Sequence, residues 1–293
     1  MLAYTLLIAL VAAYSAAFRP LARPLVRVSR KPTIFLRAAW GDDLEFTKAT
    51  IKTNTAEAEG MKLITVEVPE NIKEGYTVPG QYCQMKVGDG KPGFYAIASA
   101  PPATEGLGEG SSTTFTFLIK ENENNGVLTG AASGAEVLVS VPQGQGFAIE
   151  ENFDQYKFDF PTMRVVMMAC GSGVAPIGAA IESGQLKLKK VGYNSLFARQ
   201  GVLYIGARTE AHLPFKDKYK EWEDKGVTVV PVLSKPGADW MGKVGYIQDA
   251  LKADGVEVPR NTGVLLCGQR GMVDDTKEIL LSEGCFEGRI LLN

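Results

Sequence analysis

The segment Arg164-Val165-Val166-Met167-Met168-Ala169-Cys170-Gly171-Ser172-Gly173-Val174-Ala175-Pro176 constrains the fold more than any other part of the chain. An apolar run ends in a Gly-x-Gly turn, and a helical pattern then starts at Val174 and continues through Ile177, Ala180 and Ile181 to Gly184. A buried strand that turns on glycines into a helix presents backbone N–H groups and the positive end of the helix dipole at one point, which favours a phosphate or pyrophosphate. Pro176 suits the first helical turn, where a missing N–H is not needed. Taken alone, the turn reads equally as ordinary α/β packing. A second segment, Val264-Leu265-Leu266-Cys267-Gly268-Gln269-Arg270-Gly271-Met272, is another apolar strand ending in Cys-Gly, followed by a helix from Val273 to Leu281. Two such strand ends in one parallel sheet open on the same crevice, where α/β sheets bind ligands.

The 293 residues allow two ordinary domains and a leader, and a hydrophobic share of 45% with 22% charged residues is that of a soluble globular protein. The net charge of −2 hides an asymmetry: residues 1–41 hold no acid but carry Arg19, Arg23, Arg27, Arg30, Lys31 and Arg37. Without those six, 25 basic residues face 33 acidic ones, a net −8 that argues against nucleic acid as a partner. Cys83, Cys170, Cys267 and Cys285 form no C-x-x-C pair, which excludes a thiolate-held iron–sulfur cluster and argues against a disulfide framework. His212 is the single histidine, so a nucleophile paired with imidazole or a histidine-rich metal site is not expected. His212 reads as a surface residue near a helix start. Any chemistry is expected to come from a cofactor.

Residues 2–14 are an apolar stretch too short to span a membrane, and Ser15-Ala16-Ala17 supplies a signal-peptidase site before Phe18. Residues 18–40 are basic, acid-free and contain proline, the composition of a transit peptide. The reading is therefore a signal peptide over 1–17 and a plastid transit peptide over 18–40, a bipartite leader like that of algae with secondary, red-lineage plastids; plain secretion is the alternative.

From Phe46 to about Phe147 short strand-like runs recur at Phe46–Thr53, Met61–Val68, Tyr82–Val87, Phe94–Ala98, Thr113–Ile119 and Glu136–Val141, separated by turn-rich segments such as Glu105–Ser112. From Met163 onward strands and helices alternate. The expected architecture is an N-terminal antiparallel Greek-key β-barrel over 41–150, a linker over 151–162 and a Rossmann-like α/β domain with a parallel sheet over 163–293.

A barrel followed by a nucleotide-binding α/β domain, with Gly-Ser-Gly-Val-Ala-Pro and Cys-Gly-x-x-x-Met in this order, resembles the ferredoxin–NADP reductase superfamily over nearly all of residues 44–293. In that family the barrel holds a flavin and the α/β domain binds NAD(P)H, so that hydride passes from nicotinamide C4 to flavin N5. Pro79-Gly80-Gln81-Tyr82 looks like the family's Pro-Gly-Gln-aromatic strand, and Gly93-Phe94-Tyr95-Ala96-Ile97-Ala98-Ser99 aligns with its flavin signature, which includes Ile97 and Ser99. The resemblance implies that Tyr95 stacks on the isoalloxazine. Gly93 stands where the family has an arginine for the flavin phosphate, and Ala96 where it has the serine that reaches N5. Plant plastid proteins of a ferredoxin-reductase-like subgroup also read Ala-Ile-Ala-Ser here. Gly126-Val127-Leu128-Thr129 resembles the motif that caps a short helix against the flavin pyrophosphate, through Gly126 and Thr129, and Lys120 is a candidate for the charge missing at 93.

In the second domain Gly171, Ser172, Gly173 and Pro176 match the pyrophosphate turn, while Cys267, Gly268 and Met272 match the strand end beside the nicotinamide, with Gln269 in place of the usual proline. Cys267 reads as a positioning residue, with Tyr95 and Ala96 as the other positions at the reacting ring. Cofactor preference rests on Arg208 and Thr209 and on a second group, Ser234, Lys235, Lys243, Tyr246 and Gln248, that resembles the plant-type pattern whose basic residues pair with a 2′-phosphate. NADPH is the preferred reading and NADH the alternative; FAD is preferred to FMN.

The resemblance thus implies a plastid NAD(P)H-dependent flavoprotein oxidoreductase, its activity attenuated by the changes at 93 and 96, with an unidentified acceptor. Ferredoxin remains one candidate acceptor, although the barrel's Lys48, Lys52, Lys62, Lys73, Lys86 and Lys91 lie scattered among acids. The alternative is a weakened reductase-like module that senses a nucleotide or flavin, or serves as a subunit of a photosynthetic complex.

Overall fold

The computed structural model describes residues 44–102, 113–154, 160–189 and 199–293. The expected leader, the turn at 105–112 and part of the expected linker lie outside the described residues. Six strands, β1 (Phe46–Ala58), β2 (Met61–Glu67), β3 (Tyr82–Lys86), β4 (Gly93–Ala96), β5 (Thr114–Lys120) and β6 (Glu136–Ser140), form one antiparallel sheet in the order β4-β3-β6-β1-β2-β5. The sheet curls shut where the chain leaves β4: Ala98 N–H donates to the Thr116 carbonyl at 2.7 Å and Ile97 bridges Phe117. Alternation along β5 sends Phe115, Phe117 and Ile119 into the barrel, where they meet Ile51, Ile64, Val66, Cys83 and Met85. Two short helices, α1 (Glu70–Glu74) and α2 (Gly126–Thr129), sit in the connections.

The second sheet is parallel throughout. Its strands are β7 (Arg164–Cys170), β8 (Gln200–Ala207), β9 (Val227–Leu233), β10 (Lys243–Val244), β11 (Thr262–Cys267) and β12 (Ile290–Leu292), in the order β10-β9-β8-β7-β11-β12. Helices α3 (Val174–Glu182), α4 (Tyr219–Asp224), α5 (Ile247–Asp254) and α6 (Arg270–Ser282) connect them. The chain builds outward from β7 through β8 and β9, then returns to the other side of β7 with β11. That reversal makes the C-terminal ends of β7 and β11 the switch point of the sheet, the place where such folds open a crevice. The antiparallel barrel and the parallel α/β domain are those that the sequence pattern implies. The edge strands β10 and β12, two and three residues long, are too short to leave a period in the sequence.

One apolar cluster joins the two halves. Met61, Ala98 and Leu118 from the barrel and Phe147, Ile149 and Phe153 from the connecting segment pack with Val165, Met167, Val174, Ile177 and Leu265. Polar contacts at the tip of the β1–β2 hairpin reinforce it: Glu59 N–H donates to the Ala211 carbonyl at 2.8 Å, and the Glu57 carboxylate accepts the Phe215 N–H at 2.7 Å. Phe215 adopts a left-handed conformation (φ 57°) that the hydrogen bond from its N–H helps to fix.

Arg199, just before β8, is buried and ties the connecting segment to the sheet. Its guanidinium donates to the carbonyls of Phe153 (3.0 Å), Thr162 (3.2 Å) and Leu186 (3.3 Å) and pairs with the Asp154 carboxylate. Replacing it leaves buried acceptors unmet, so Arg199→Met is expected to cost about 3 kcal/mol of stability. Urea unfolding checks this; an unchanged midpoint would contradict the role given to Arg199.

Candidate functional site

A cleft of about 1330 Å³ opens between the barrel and the C-terminal ends of the parallel strands. That is ample for a drug-sized ligand and leaves room for more than one ring system. The α/β wall is built by glycines. Gly171 turns the chain in a left-handed conformation (φ 58°) with open space where a Cβ would sit, and residues 171–173 form a single 3-10 turn leading into α3. Gly173 has no such space, because a Cβ there would overlap the Cys267 carbonyl oxygen. A Cβ on Gly268 would strike the Cys170 thiol and the Met272 methyl. Small residues at these points let β7 and β11 approach, and Gly171, Ser172, Gly173 and Gly268 line the cleft.

Cys170 and Cys267 both line this wall but leave opposite faces of the sheet, Cys267 packing with the cluster beneath α3 and Cys170 against the cluster beneath α5 and α6. All four cysteines are free thiols. Burial, with a smaller contribution from Cys170, pushes the Cys267 thiol up to about 12. It therefore stays protonated near neutrality and is no nucleophile. Burial also raises Cys170, opposed by the Gln269 N–H, which donates to Cys170 Sγ at 3.2 Å, and by the positive charge of Lys120. With Gln269 in place of an imino acid, that N–H exists and finds a partner in the thiol.

The strands beyond β7 supply cations. Ser234 N–H donates to the Ala207 carbonyl at 3.0 Å and Lys235 N–H to the Arg208 carbonyl at 2.8 Å, which stitches the ends of β8 and β9 together and sets Arg208, Ser234 and Lys235 along the cleft. Tyr246 and Gln248 continue this edge from the start of α5, where Gln248 Nε2 donates to Asp275 Oδ2 at 3.4 Å. Lys243 is committed elsewhere: its ammonium meets Asp254 Oδ1 at 2.6 Å. Thr209 lies off the cleft, its hydroxyl 2.8 Å from His212 Nδ1, and Pro176 is buried in α3. His212 itself lines the cleft, 3.5 Å from Glu59 Oε2 on the barrel hairpin.

On the barrel wall, Ala96, Lys120, Tyr82 and Phe94 face the cleft. Tyr95 does not. Its ring packs against the barrel core and lies back over Gly93, where any Cβ would overlap the phenol, and its hydroxyl bonds the Asn125 side chain. Ile97 is fully buried in the barrel. Ser99 Oγ accepts the Thr116 N–H at 3.2 Å. Thr129 is buried, and its hydroxyl donates to the Asn125 carbonyl at 3.2 Å within its own turn, while Gly126 begins α2 with open space above it. The structure therefore brings together Ala96, Lys120, Gly171, Ser172, Gly173, Arg208, Ser234, Lys235, Tyr246, Gln248, Cys267, Gly268 and Met272. Tyr95, Ile97, Ser99, Gly126 and Thr129 stay on the barrel side, outside the cleft lining. Tyr82, Phe94, Glu59, His212 and Asp275 join the lining without having been singled out as site residues. Strand alternation was the available signal for Phe94, since it shares a face with Ala96.

This arrangement has known counterparts. The signature of the oxidoreductase NAD-binding domain covers residues 167–278. The fruit protein pKIWI502 of Actinidia deliciosa is 31% identical over 249 residues, which is 81% of this chain and 73% of that protein. The chain belongs to the ferredoxin–NADP reductase superfamily. More distant members include the chloroplastic ferredoxin–NADP reductase of Mesembryanthemum crystallinum, 24% identical over 67% of this chain. The chain spans 55% of the length of that protein, and 63% of a Yersinia pestis CDP-6-deoxy-L-threo-D-glycero-4-hexulose-3-dehydrase reductase that is 23% identical. The fold is that of a Neisseria gonorrhoeae ferredoxin NADP+ reductase solved with bound FAD and NADP, with a TM-score of 0.67, 20% identity, and coverage of 86% of this chain and 99% of that one.

The two turn glycines answer to different constraints, and substitution separates them. Gly171→Ala meets no atom and is expected to cost about 1 kcal/mol for its left-handed backbone. Gly173→Ala must push β11 away, and a loss of about 3 kcal/mol together with weakened dinucleotide binding is expected. Thermal unfolding and NADP+ titration of both variants check this; equal effects would contradict the close-approach argument.

Proposed function

We propose that this chain is an NAD(P)H-dependent flavoprotein oxidoreductase that takes reducing equivalents from a pyridine dinucleotide on the α/β wall of the cleft and delivers them to a separate acceptor. The observation that carries the reading is the single cleft shared by the Gly171–Gly173 turn, the Cys267-Gly268 strand end and the barrel strand β4. The residues fit both groups: glycine amides for a pyrophosphate, cations at the outer end, and aromatic and small side chains on the barrel wall. A bound flavin supplies the hydride and single-electron chemistry that no side chain here offers. FAD is favoured over FMN, in keeping with the neisserial relative that holds FAD and NADP.

The protein's own groups bind and orient. The Gly171–Gly173 turn holds phosphate through its amides, while Arg208, Ser234 and Lys235 offer two charges and a hydroxyl to a 2′-phosphate, which supports NADPH over NADH. The exposed Tyr246 ring and the Gln248 amide stand where the adenine would lie. Cys267, neutral and nearly buried, shapes the inner end of the cleft and keeps water from it. Ala96 offers a methyl in place of a hydroxyl, so one preorganised donor is absent at the reacting edge; such a donor contributes about a hundredfold in rate, which supports an attenuated turnover.

The acceptor is a separate molecule, with ferredoxin as one candidate and association with a photosynthetic complex as another role for the chain. Among the described barrel lysines, Lys48 pairs with Glu136 at 3.0 Å, Lys52 with Glu67 at 2.7 Å and Lys86 lies over the Phe46 ring, which weighs against a concentrated basic patch for an acidic partner. The basic, acid-free stretch 18–40 supports a plastid location.

Absorbance decides between the readings. The purified protein loaded with FAD is expected to be yellow and to bleach anaerobically on addition of NADPH, and more slowly with NADH. A colourless protein that resists loading would contradict the proposal and favour the weakened module. The charge on Lys235 is tested separately: Lys235→Ala is expected to raise KM for NADPH about ten-fold and leave that for NADH unchanged. Equal effects on the two dinucleotides would contradict a 2′-phosphate contact.

A further inference from the structure

We propose that Asp254 sets the preference of the dinucleotide site by holding the Lys243 ammonium away from it, as an internal anion that competes with a phosphate of the ligand. The inference rests on the dinucleotide reading above and concerns which form of the dinucleotide the site favours. Register places Lys243 just below the cleft. It pairs with Val232 of β9, and Gly245 N–H donates to the Leu233 carbonyl at 2.9 Å. Ser234, which lines the cleft, stands two residues beyond Val232, about 7 Å along the strand. Lys243 shares the face of Val232, which packs beneath α5, whereas Leu233 turns into the cluster beneath α3. From there a four-carbon stem reaches either up toward Ser234 and Lys235 or down along α5.

In the structure it points down. Lys243 Nζ meets Asp254 Oδ1 at 2.6 Å, and the Tyr204 hydroxyl donates to Asp254 Oδ2 at 2.7 Å, so both carboxylate oxygens are engaged. Asp254 lines a groove with Arg164 and Gln200, the first residues of β7 and β8, at the end of the sheet opposite the cleft. The Lys243 charge is thereby drawn away from Arg208 and Lys235, which line the cleft.

Asp254 has a physical need for this cation. It is the last residue of α5, where the helix dipole disfavours an anion and a nearby ammonium relieves it. Burial pushes the Asp254 carboxyl up, but hydrogen bonds from Lys243 and Tyr204 outweigh it and hold the group below the usual carboxylate range. Burial and the bond to Asp254 push the Tyr204 phenol up, so it stays a donor. The ion pair is therefore charged at neutrality. Its side chains are 38% and 35% exposed, and a pair so open to water is weak enough for one charge change to release the lysine. A 2′-phosphate is what separates NADP+ from NAD+, and a third cation beside Arg208 and Lys235 strengthens binding of NADP+ alone.

The test is calorimetric titration of NADP+ and of NAD+ into the full-length parent, Asp254→Asn, Lys243→Ala and the double variant. Asp254→Asn keeps the shape of the side chain and an acceptor for Tyr204 but removes the charge that holds Lys243. It is expected to bind NADP+ about five-fold more tightly, with NAD+ unchanged. Lys243→Ala alone is expected to match the parent with both dinucleotides, and the double variant to lose the gain. Lys243→Ala alters a partly exposed side chain, so it tests the proposal even where Asp254→Asn folds poorly. Loss of NADP+ affinity in Lys243→Ala would show that the lysine already reaches the phosphate. Parental NADP+ affinity in a folded Asp254→Asn would show that it never does. Either result overturns the proposal. A parent that binds neither dinucleotide would remove the reading beneath it, a result distinct from a parent that binds both while its variants are indifferent.

Discussion

Strands β7 and β11 meet at their C-terminal ends so closely that the backbone of one lies against the other. Gly173 rests on the Cys267 carbonyl and Gly268 on the Cys170 thiol, with no space for a side chain between them. Their approach brings two strand ends, a turn and two helix starts to one place on the sheet. The amides freed by the Gly171–Gly173 turn, the neutral thiol of Cys267 and the N–H of Gln269 all take their positions from it. Spread these strands apart and the cleft loses its inner wall.

The opposite wall depends on a second constraint, the fixed seating of the barrel. A shared apolar cluster and the hydrogen bonds from the β1–β2 hairpin to the 211–215 segment hold β4 facing the glycine turn. Charge is then distributed along the cleft. Arg208 and Lys235 line it where β8 and β9 finish, and Lys120 adds a cation near Cys170, beside the weakly polar surface of Ala96, Phe94, Tyr82, Cys267 and Met272. A flat ligand that carries phosphate is the shape that such a lining accommodates.

Most of the architecture was legible in the sequence because long segments carried clear periods. The alternation in β5 and the unbroken apolar run of β7 gave barrel and parallel sheet their separate signatures, and the glycine-ended strands placed the cleft. The site was less legible wherever the direction of a side chain decided the matter. Motif spacing identified the four residues of β4 but not which face looks into the cleft; pairing with β3 decides that, and it puts Phe94 there with Tyr95 behind. Lys243 matched a pattern of phosphate-binding cations, yet its partner Asp254 lies eleven residues on across a strand and helix, a pairing that no local pattern announces. His212 read as an ordinary surface histidine because its neighbour Glu59 comes from the other half of the chain.

The central claim is that the two walls present their ligands to each other across one space. Titrating NADP+ into the FAD-loaded protein, without reduction, measures this most directly through the visible spectrum of the flavin. Contact between the rings predicts a saturable perturbation of the flavin bands with a broad absorbance at longer wavelength. Binding of NADP+ by calorimetry with the flavin spectrum unchanged throughout would contradict the account.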